Sequence, residues 1–290
     1  MDETALPVPT PDGRLLTAAV FGPHDGHPVL WLHGTPGSRL LSVPDLGLLS
    51  RAGVRLVTYD RPGYGASTRR PGRSVGDVVG DVRTLADALS LQRFAVAGWS
   101  GGGPHALAVA ALMGDRVTRC AALSSVAPLD APGLDWFAGM SPGNVEEFDA
   151  ALSGEATLEP MLAPVATAVA DDVYAFIAAL RADLPDVDRA ALDEPAIDTL
   201  LATALAEALR PGAAGWVDDD LAFCRAWGFD VATTRVPVGI WHGTEDTLVP
   251  VAHAGWLTQA IPGSQGHLAM GTGHIGVLDE LPDVLGWLLG

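Results

Sequence analysis

The chain of 290 residues contains no lysine, and all 17 of its basic side chains are arginine. Without a lysine amine, Schiff-base catalysis is excluded, and so is a P-loop, whose lysine contacts the nucleotide phosphates. Basic residues are also few against 35 acidic ones, which gives a formal net charge of −18. Since an acidic surface repels phosphate backbones, we expect no nucleic-acid partner.

Cysteine and long apolar runs are scarce as well. Cys120 and Cys224 stand far apart without a metal-type spacing, so we expect reduced thiols rather than a disulfide or a metal site. No apolar run approaches the roughly 20 residues of a membrane-spanning helix. The first residues, Met1–Thr4, are acidic and lack the apolar region of a signal peptide. We therefore expect a cytoplasmic protein that has no contact with a membrane.

Apolar segments alternate with segments of helical periodicity along the first part of the chain. The segment Pro28–His33 is almost entirely apolar, which is typical of a strand buried on both faces of a sheet. The alternation predicts a mostly parallel sheet with helices on both faces. The predicted strands are Leu15–Phe21, Pro28–His33, Val54–Asp60, Phe94–Ala97, Val117–Ser124, Pro237–Trp241 and His267–Met270.

The pattern changes in the middle of the chain, where helical segments broken by prolines replace the strands. We therefore predict a core formed by residues 1–131 and 235–290, interrupted by a helical insertion over 132–234. Helices of the core are predicted over Leu40–Ala52, after Ser74 and over Gly102–Met113. Within the insertion they are predicted over Asn144–Leu152, Val173–Ala182, Asp198–Leu209 and Ala214–Trp227, with breaks at Pro160, Pro164, Pro185, Pro195 and Pro211.

One segment combines a serine with glycines at the turn between a strand and a helix. Gly98–Gly102 reads Gly-Trp-Ser-Gly-Gly and joins the apolar segment Phe94–Ala97 to an alanine-rich helix. This context is typical of a nucleophile elbow, in which glycines allow neighbouring backbones to approach and the turn lifts the serine hydroxyl above the sheet. The N–H groups at the start of the helix then face developing negative charge. The pattern predicts that Ser100 is a nucleophile.

Five separated segments together resemble the α/β-hydrolase superfamily, in the order that its members show. They are His33–Gly37 (HGTPG), Asp60–Gly65 (DRPGYG), the elbow, Trp241–Pro250 (WHGTEDTLVP) and Gly271–Gly276 (GTGHIG). The chain is most similar to the capped branch of esterases and proline iminopeptidase-like peptidases. The resemblance implies an α/β-hydrolase fold with an inserted helical cap. Epoxide hydrolases and dehalogenases of the superfamily carry aspartate at the elbow, so Ser100 argues against both.

The resemblance also implies which residues activate Ser100. It assigns the base to His274 and the acid to Asp246, with Asp130 and Glu245 as weaker alternatives for the acid. A serine hydroxyl is a poor nucleophile at neutral pH and needs an adjacent base. The acid orients the imidazole and stabilises its cation.

The remaining assignments concern the oxyanion hole and the other histidines. The family pattern places the oxyanion donors at the backbone N–H groups of Thr35 and Gly101. His105, one turn into the helix after the elbow, is expected to pack rather than to catalyse, and His33 and His242 to form structural hydrogen bonds. The turn at Asp60–Gly65 is expected to be structural. The histidines expected on the surface or in loops are His24, His27, His253 and His267.

The cap implied by the resemblance would exclude water and shape specificity. Its bulky residues are the candidate pocket walls, although packing inside the cap itself is the alternative for most of them. Trp99 is a further candidate because it stands beside the nucleophile. The candidate substrate-pocket residues are Trp99, Trp136, Phe137, Trp216 and Trp227, followed by Met140 and Phe223.

These assignments predict a serine hydrolase that cleaves a carboxylic ester or lactone of a small molecule through an acyl-enzyme, with no metal or organic cofactor. An aminopeptidase is the alternative, because acidic cap residues are available to bind an ammonium group; they are Glu146, Glu147, Glu155 and Glu159. Against it, the elbow differs from the Gly-Gly-Ser-Trp-Gly of those peptidases. Carbon–carbon bond hydrolysis uses the same triad. A non-catalytic receptor for a small ligand is the alternative of another class. The oligomeric state stays open.

Overall fold

The computed structural model describes residues 5–40, 45–181 and 184–290. Its strands are β1 (Leu6–Pro9), β2 (Leu15–Phe21), β3 (His27–Leu32), β4 (Val54–Tyr59), β5 (Phe94–Trp99), β6 (Val117–Leu123), β7 (Val238–Gly243) and β8 (Gln265–Ala269). Within these ranges they form one eight-stranded sheet in the order β1-β2-β4-β3-β5-β6-β7-β8. β2 pairs antiparallel with β1 and β4, and the other neighbours pair in parallel. The predicted mostly parallel sheet is confirmed, with β1 as an unpredicted addition.

The helices fall into a core set and an inserted set. In chain order they are α1 (Leu46–Ala52), α2 (Val78–Ala88), α3 (Gly102–Leu112), α4 (Pro142–Ser153), α5 (Glu155–Asp171), α6 (Val173–Leu180), α7 (Asp186–Leu192), α8 (Pro195–Ala208), α9 (Ala214–Phe223), α10 (Ala252–Ala260) and α11 (Leu281–Leu289). Short 3-10 segments cover Val75–Asp77, Val231–Thr233 and Gly276–Glu280. Helices α4 to α9 follow β6 and precede β7, so they form the helical insertion.

Apolar side chains on each strand alternate between two clusters on opposite faces of the sheet. In β3, Leu30 packs in one cluster with Leu107 of α3. Its neighbour Trp31 packs in the other cluster with Leu285 of α11. Because successive side chains of a strand point to opposite faces, a strand covered on both sides must be apolar throughout. This is the physical reason that β3 reads as a continuous apolar run.

The prolines of the insertion interrupt fewer helices than the sequence indicates. Helix α5 runs through Pro160 and Pro164, which are both exposed, so water can solvate the carbonyl groups that lose an N–H partner. The predicted breaks there were wrong, and α5 and α7 were missed. The predicted helix Leu40–Ala52 begins at Leu46, and residues 41–44 lie outside the described ranges, as does residue 182 at the end of another predicted helix. None of the helices described is both long and apolar enough to cross a bilayer.

Parallel strands β3, β5, β6, β7 and β8 place their carboxyl ends at one edge of the sheet. The loops after β3, β5, β7 and β8 therefore converge there. This is the edge at which open α/β sheets bind ligands. Residues far apart in the sequence meet in these loops and form the site described next.

Candidate active site

Ser100 lies in a strained turn between β5 and α3. Its φ is +55°, in the left-handed region that residues with a side chain seldom adopt. The backbones around it are tightly packed: a Cβ on Gly98 would lie 2.2 Å from the carbonyl oxygen of Gly102, and one on Gly102 would lie 2.0 Å from that of Leu32. Only glycine fits at these two positions. The turn directs Ser100 into a cavity at the carboxyl edge of the sheet.

The loops after β7 and β8 bring a carboxylate and an imidazole into contact. Asp246 Oδ2 lies 2.8 Å from His274 Nδ1. The other oxygen of Asp246 accepts hydrogen bonds from the backbone N–H groups of Leu248 and Val249, at 2.9 and 2.8 Å. Asp246 and His274 are 5% and 4% exposed. With one oxygen held by the backbone, the carboxylate orients the imidazole, whose Nε2 is left for the cavity that His274 lines together with Ser100.

The electrostatics of this pair favour a charged imidazole. Burial by itself would lower the pKa of His274, but the charge of Asp246, the hydrogen bond to it and the charge of Asp188 raise that pKa above the ordinary value of 6.5. Burial would likewise raise the pKa of Asp246, but His274 and His242 hold it well below its usual range. Nε2 of His242 lies 3.3 Å from Asp246 Oδ2, and it also lies 2.7 Å from the carbonyl oxygen of Val249. Asp246 therefore stays ionised and stabilises the imidazolium.

The alternative acids lie in exposed positions. Asp130 and Glu245 are both exposed, whereas Asp246 is buried against the imidazole. Of the three candidates, the structure brings Asp246 into contact with His274.

The two backbone groups predicted to form an oxyanion hole belong to loops that touch each other. A Cβ on Gly101 would lie 2.3 Å from Thr35 Oγ1, and one on Gly34 would lie 3.4 Å from the Cβ of Ser100. Thr35 and Gly101 both line the cavity with Ser100. Gly101 also stands at the start of α3, where the first N–H groups of a helix lack partners inside the helix.

A buried ionic network contacts the loop Gly34–Thr35, which is called the oxyanion loop here after the donor predicted at Thr35. Asp219 of α9 is the acceptor at its centre. Its Oδ2 accepts hydrogen bonds from Thr35 Oγ1 at 2.8 Å, Arg61 Nη2 at 2.6 Å and Tyr64 OH at 2.8 Å. Its Oδ1 accepts one from Arg73 Nη1 at 2.6 Å. Arg61 Nη2 also donates to the carbonyl oxygen of Gly34 at 2.9 Å. The Asp60–Gly65 turn was expected to be structural, and its role is to join the oxyanion loop to the insertion through Arg61 and Tyr64.

Two arginines surround the single carboxylate of this network. Burial by itself would raise the pKa of Asp219, but Arg61 and Arg73 hold it well below its usual range. His105 contacts the same group from the core, with Nε2 3.7 Å from Asp219 Oδ1, and burial lowers its pKa to about 3. A neutral His105 whose Nδ1 lies 2.8 Å from the carbonyl oxygen of Gly101 fits the expected packing role.

The cavity in front of Ser100 has a volume of about 240 Å³. Apolar side chains of the insertion form most of its wall; they include Phe148, Phe176, Ile177, Leu180, Leu192, Leu201, Ala204, Leu205 and Phe223. Of the predicted wall residues, Trp99, Trp216 and Phe223 line this cavity.

The expectation that Trp136, Phe137 and Trp227 also line the pocket is corrected, since none is among the described residues around the cavity. Trp136 donates to the carbonyl oxygen of Ala127 at 2.8 Å and packs edge-on against Phe137, with ring centroids 5.0 Å apart. Trp227 stacks on Phe229 with ring centroids 5.8 Å apart. All three pack in the apolar cluster beneath the insertion, and Met140 belongs to the same cluster. Composition cannot distinguish such packing residues from cavity residues.

Comparisons with known proteins agree with this architecture. The model of the alpha/beta hydrolase fold family matches residues 27–159, a range that includes the oxyanion loop and the elbow. A non-heme chloroperoxidase of Streptomyces lividans is 29% identical over 254 residues, which cover 85% of this chain and 84% of that protein. A hydrolase from Pseudomonas aeruginosa PA01, known from its crystal structure, has a TM-score of 0.71 and 20% identity, covering 99% of this chain and 98% of that one. The chain has the α/β-hydrolase fold.

A serine hydrolase-like protein of Danio rerio resembles part of this chain. It is 34% identical over 142 residues, which cover 47% of this chain and 42% of the fish protein. The chain thus spans less than half of that relative.

The cavity wall also contains two acidic residues. Glu147 of α4 and Asp220 of α9 both line the cavity, and Glu147 Oε1 accepts a hydrogen bond of 2.7 Å from Trp216 Nε1. Burial raises the pKa of Glu147. Burial and the charge of Glu147 raise the pKa of Asp220 well above its usual range. Asp220 Oδ2 is buried, and its carboxyl group lies close enough to that of Glu147 for the two to share a proton in a hydrogen bond. The sequence suggested Glu147 as one of four acidic candidates, and it did not suggest Asp220.

Two further residues have surroundings that the sequence did not predict. His253 was expected near the surface, but it is fully buried; its Nδ1 accepts from the N–H of Ala127 at 3.1 Å. Asp188 of α7 was given no role, yet its carboxylate accepts hydrogen bonds from the backbone of the loop that carries His274. No local motif marks Asp188, because an aspartate near the start of a helix is common.

Proposed function

We propose that the protein is a serine hydrolase that cleaves a carboxylic ester or lactone of a small molecule. Ser100 is the nucleophile, His274 the base and Asp246 the acid, and the N–H groups of Thr35 and Gly101 form the oxyanion hole. One observation carries the proposal: His274, which is hydrogen-bonded to the buried Asp246 at 2.8 Å, lines the same cavity as a serine in a strained elbow. A nucleophile, a base and an orienting acid in such an arrangement are typical of acyl transfer.

The reaction follows from these roles. Ser100 Oγ attacks the acyl carbon while His274 Nε2 takes the hydroxyl proton, and the carbonyl electron pair moves onto its oxygen, which accepts hydrogen bonds from Thr35 and Gly101. Collapse of this intermediate expels the alkoxide, which takes the proton from His274 and leaves an ester on Ser100. Water then attacks this ester as His274 takes its proton. Collapse releases the acid and returns the proton to Ser100.

The cavity wall supports an uncharged acyl group of modest size. Apolar side chains from α6 and α8 surround a volume of about 240 Å³. Each methylene of a substrate buried there contributes about 0.8 kcal/mol until the space is filled. We also propose that residues 132–234 act as a cap, because α4, α6, α8 and α9 all supply wall residues. Such a cap excludes water from the acyl-enzyme until the leaving group has departed.

The decisive experiment compares a variant that lacks the proposed nucleophile with a variant that lacks a different serine. We expect Ser100→Ala to lower the turnover of p-nitrophenyl butyrate by a factor on the order of 10⁵ to 10⁶ while circular dichroism stays unchanged. Ser124 is the matched control because it also ends a strand of the sheet, with a φ of +43°, and its hydroxyl has no partner among the described residues. Ser124→Ala should retain activity.

Covalent labelling tests the same assignment independently. A fluorophosphonate should modify Ser100 and no other serine, and peptide mass spectrometry identifies the position. Because a non-catalytic receptor would not be labelled, this experiment also decides between the enzyme and the receptor. Normal turnover by folded Ser100→Ala, or labelling elsewhere, would contradict the proposal.

A second candidate function is the hydrolysis of substrates that carry a free amine. The observation that favours it is the pair of buried carboxyl groups of Glu147 and Asp220 in the cavity wall, which lie within hydrogen-bond reach of each other. An ammonium group placed there would donate to both carboxylates, and a charge-assisted hydrogen bond is stronger than a neutral one. The cation would also displace the proton that Glu147 and Asp220 retain because their pKa values are raised.

Matched substrates distinguish the two candidates. If the amine is recognised, proline p-nitroanilide should be cleaved at least about 100-fold faster than its N-acetyl derivative, since an interaction with a buried charge contributes about 3 kcal/mol. Glu147→Gln should abolish this preference. Glu146→Gln should not, because Glu146 is the exposed neighbour on the same helix. If p-nitrophenyl butyrate is hydrolysed and neither anilide is preferred, the ester hydrolase stands alone.

A further inference from the structure

Asp188 connects the insertion to the loop that carries the base. It belongs to α7, and its side chain is fully buried. Its Oδ2 accepts a hydrogen bond of 2.9 Å from the backbone N–H of His274, and its Oδ1 accepts from the N–H groups of Ile275 at 2.7 Å and Gly276 at 3.4 Å. One carboxylate thus receives three consecutive N–H groups of a loop 86 or more residues away in the sequence.

The carboxylate of Asp188 packs closely against the neighbouring Gly273. A Cβ on Gly273 would lie 2.4 Å from Cγ and from both oxygens of Asp188. The space that a side chain at 273 would occupy is therefore taken by the carboxyl group. Without Asp188 these three buried N–H groups would lose their acceptor. Because burying unpaired donors is unfavourable in free energy, the loop would then rearrange.

We propose that Asp188 is a positioning residue for catalysis, which holds the backbone at His274 so that the imidazole stays aligned between Asp246 and Ser100. The inference rests on the proposed function, in which His274 is the base. It extends that function because the insertion then contributes to the geometry of the triad and not only to the pocket wall. A helix of the insertion, rather than the core alone, keeps the base in place.

The charge of Asp188 also acts on His274. The ionisable groups around the imidazole are Asp246, bonded to Nδ1, Asp188, bonded to the backbone N–H, and His242, beyond Asp246. The carboxylates of Asp246 and Asp188 both raise the pKa of His274. A residue that merely anchors the insertion would stabilise the fold without setting the pH at which the base loses its proton.

The test compares two aspartates of the same helix. Asp188→Asn keeps the size of the side chain but removes its charge and turns an NH₂ group towards N–H donors. We expect kcat for p-nitrophenyl butyrate to fall about 10- to 100-fold with little change in KM, because misplacing a reacting group costs this much. The rising limb of the pH profile should move to lower pH. Asp186→Asn, at an exposed residue of the same helix, should leave both unchanged.

If Asp188→Asn fails to fold, a second variant and a measurement on the unaltered protein still test the inference. Gly273→Ala should displace the Asp188 carboxylate and lower kcat, although no charge is removed and no ligand contact is changed. In the unaltered protein, the amide protons of His274 and Ile275 should exchange slowly with solvent. Exchange as fast as in an exposed loop would overturn the contact on which the inference depends.

The outcomes separate this inference from the proposed function. If Ser100→Ala remains active, the proposed function fails and Asp188 is irrelevant to it. If Ser100 is essential but folded Asp188→Asn keeps the kcat and the pH limb of the unaltered protein, the positioning role is overturned while the serine hydrolase stands. Loss of thermal stability with an unchanged pH limb would likewise overturn it, in favour of a purely structural role.

Discussion

The indole of Trp99 donates a hydrogen bond of 3.1 Å to the carbonyl oxygen of His274, and the two rings lie 5.3 Å apart. Trp99 is the last residue of β5 and stands immediately before Ser100. A single side chain therefore links the strand that carries the proposed nucleophile to the loop that carries the proposed base. Together with Asp188, it holds the backbone of His274 from two sides.

We expect Trp99→Phe to lower kcat for p-nitrophenyl butyrate about fivefold, since phenylalanine keeps an apolar ring but loses a hydrogen bond contributing about 1 kcal/mol. Trp287→Phe is the matched control, because it also removes one indole hydrogen bond, a solvent-exposed one to Gln265 that is not part of the proposed site. Stopped-flow or steady-state hydrolysis measures both variants. Equal kcat values for Trp99→Phe and Trp287→Phe would show that this hydrogen bond has no effect on the base.

Removing the charge of the acid should have a far larger effect. We expect Asp246→Asn to lower kcat by about 10³ to 10⁴, because the amide does not stabilise the imidazolium and favours the wrong tautomer. Asp130→Asn, at an exposed site, should change kcat by less than about tenfold. The reverse ranking would assign the acid to the loop after β6.

The pH dependence of kcat/KM should report the protonation of His274. The Asp246 carboxylate raises the pKa of His274, so the protonated, inactive form persists above the ordinary value of 6.5. The rising limb should therefore lie at a higher pH than for a free imidazole. His274→Ala should abolish the limb together with the activity. A limb below the ordinary value would contradict the arrangement described.

The Asp219 network should contribute strongly to stability. We expect Asp219→Ala to lower the free energy of unfolding by about 3 to 5 kcal/mol, because it leaves Arg61 and Arg73 buried without their counter-ion. Asp193→Ala, which breaks an exposed ion pair with Arg181, should change it little. Denaturant titration at neutral pH measures both.

The same network predicts a dependence of stability on acid. Since the folded-state pKa of Asp219 lies below the ordinary value of 3.8, its contribution is fully present above that pH and is lost as the pH falls through the lower pKa. The difference in unfolding free energy between the unaltered protein and Asp219→Ala should therefore shrink at strongly acidic pH. A difference that does not change with pH would contradict an ionised Asp219.

The depth of the acyl pocket can be altered from α8. Ala204 lines the cavity, so Ala204→Phe should fill part of it and lower kcat/KM for p-nitrophenyl hexanoate relative to the acetate, by about fourfold for each methylene excluded. Ala206→Phe is the control, because Ala206 is exposed on the same helix. An unchanged hexanoate-to-acetate ratio for Ala204→Phe would show that the acyl chain binds elsewhere.

Local sequence was sufficient for several parts of this protein. The strands β2 to β7 appear as apolar segments because a sheet covered on both faces requires apolar side chains on both, as Leu30 and Trp31 show. The elbow can be identified because close approach of the backbone demands glycine at 98 and 102. Each of these requirements concerns residues that are close together in the sequence, so a short sequence pattern shows it. By contrast, the four-residue edge strand β1 and the proline-containing helix α5 left none.

From the sequence alone, the sheet, the helical insertion and the positions of Ser100, Asp246 and His274 could be inferred. Only the tertiary structure decided which aromatic residues line the cavity, since Trp136 and Trp216 are equally apolar and differ only in what they face. It also revealed Asp188, Asp219 and Asp220, whose roles depend on partners in distant loops. A buried carboxylate is stable only beside donors or cations, and that pairing is set by the packing of the insertion on the core, which no short motif encodes.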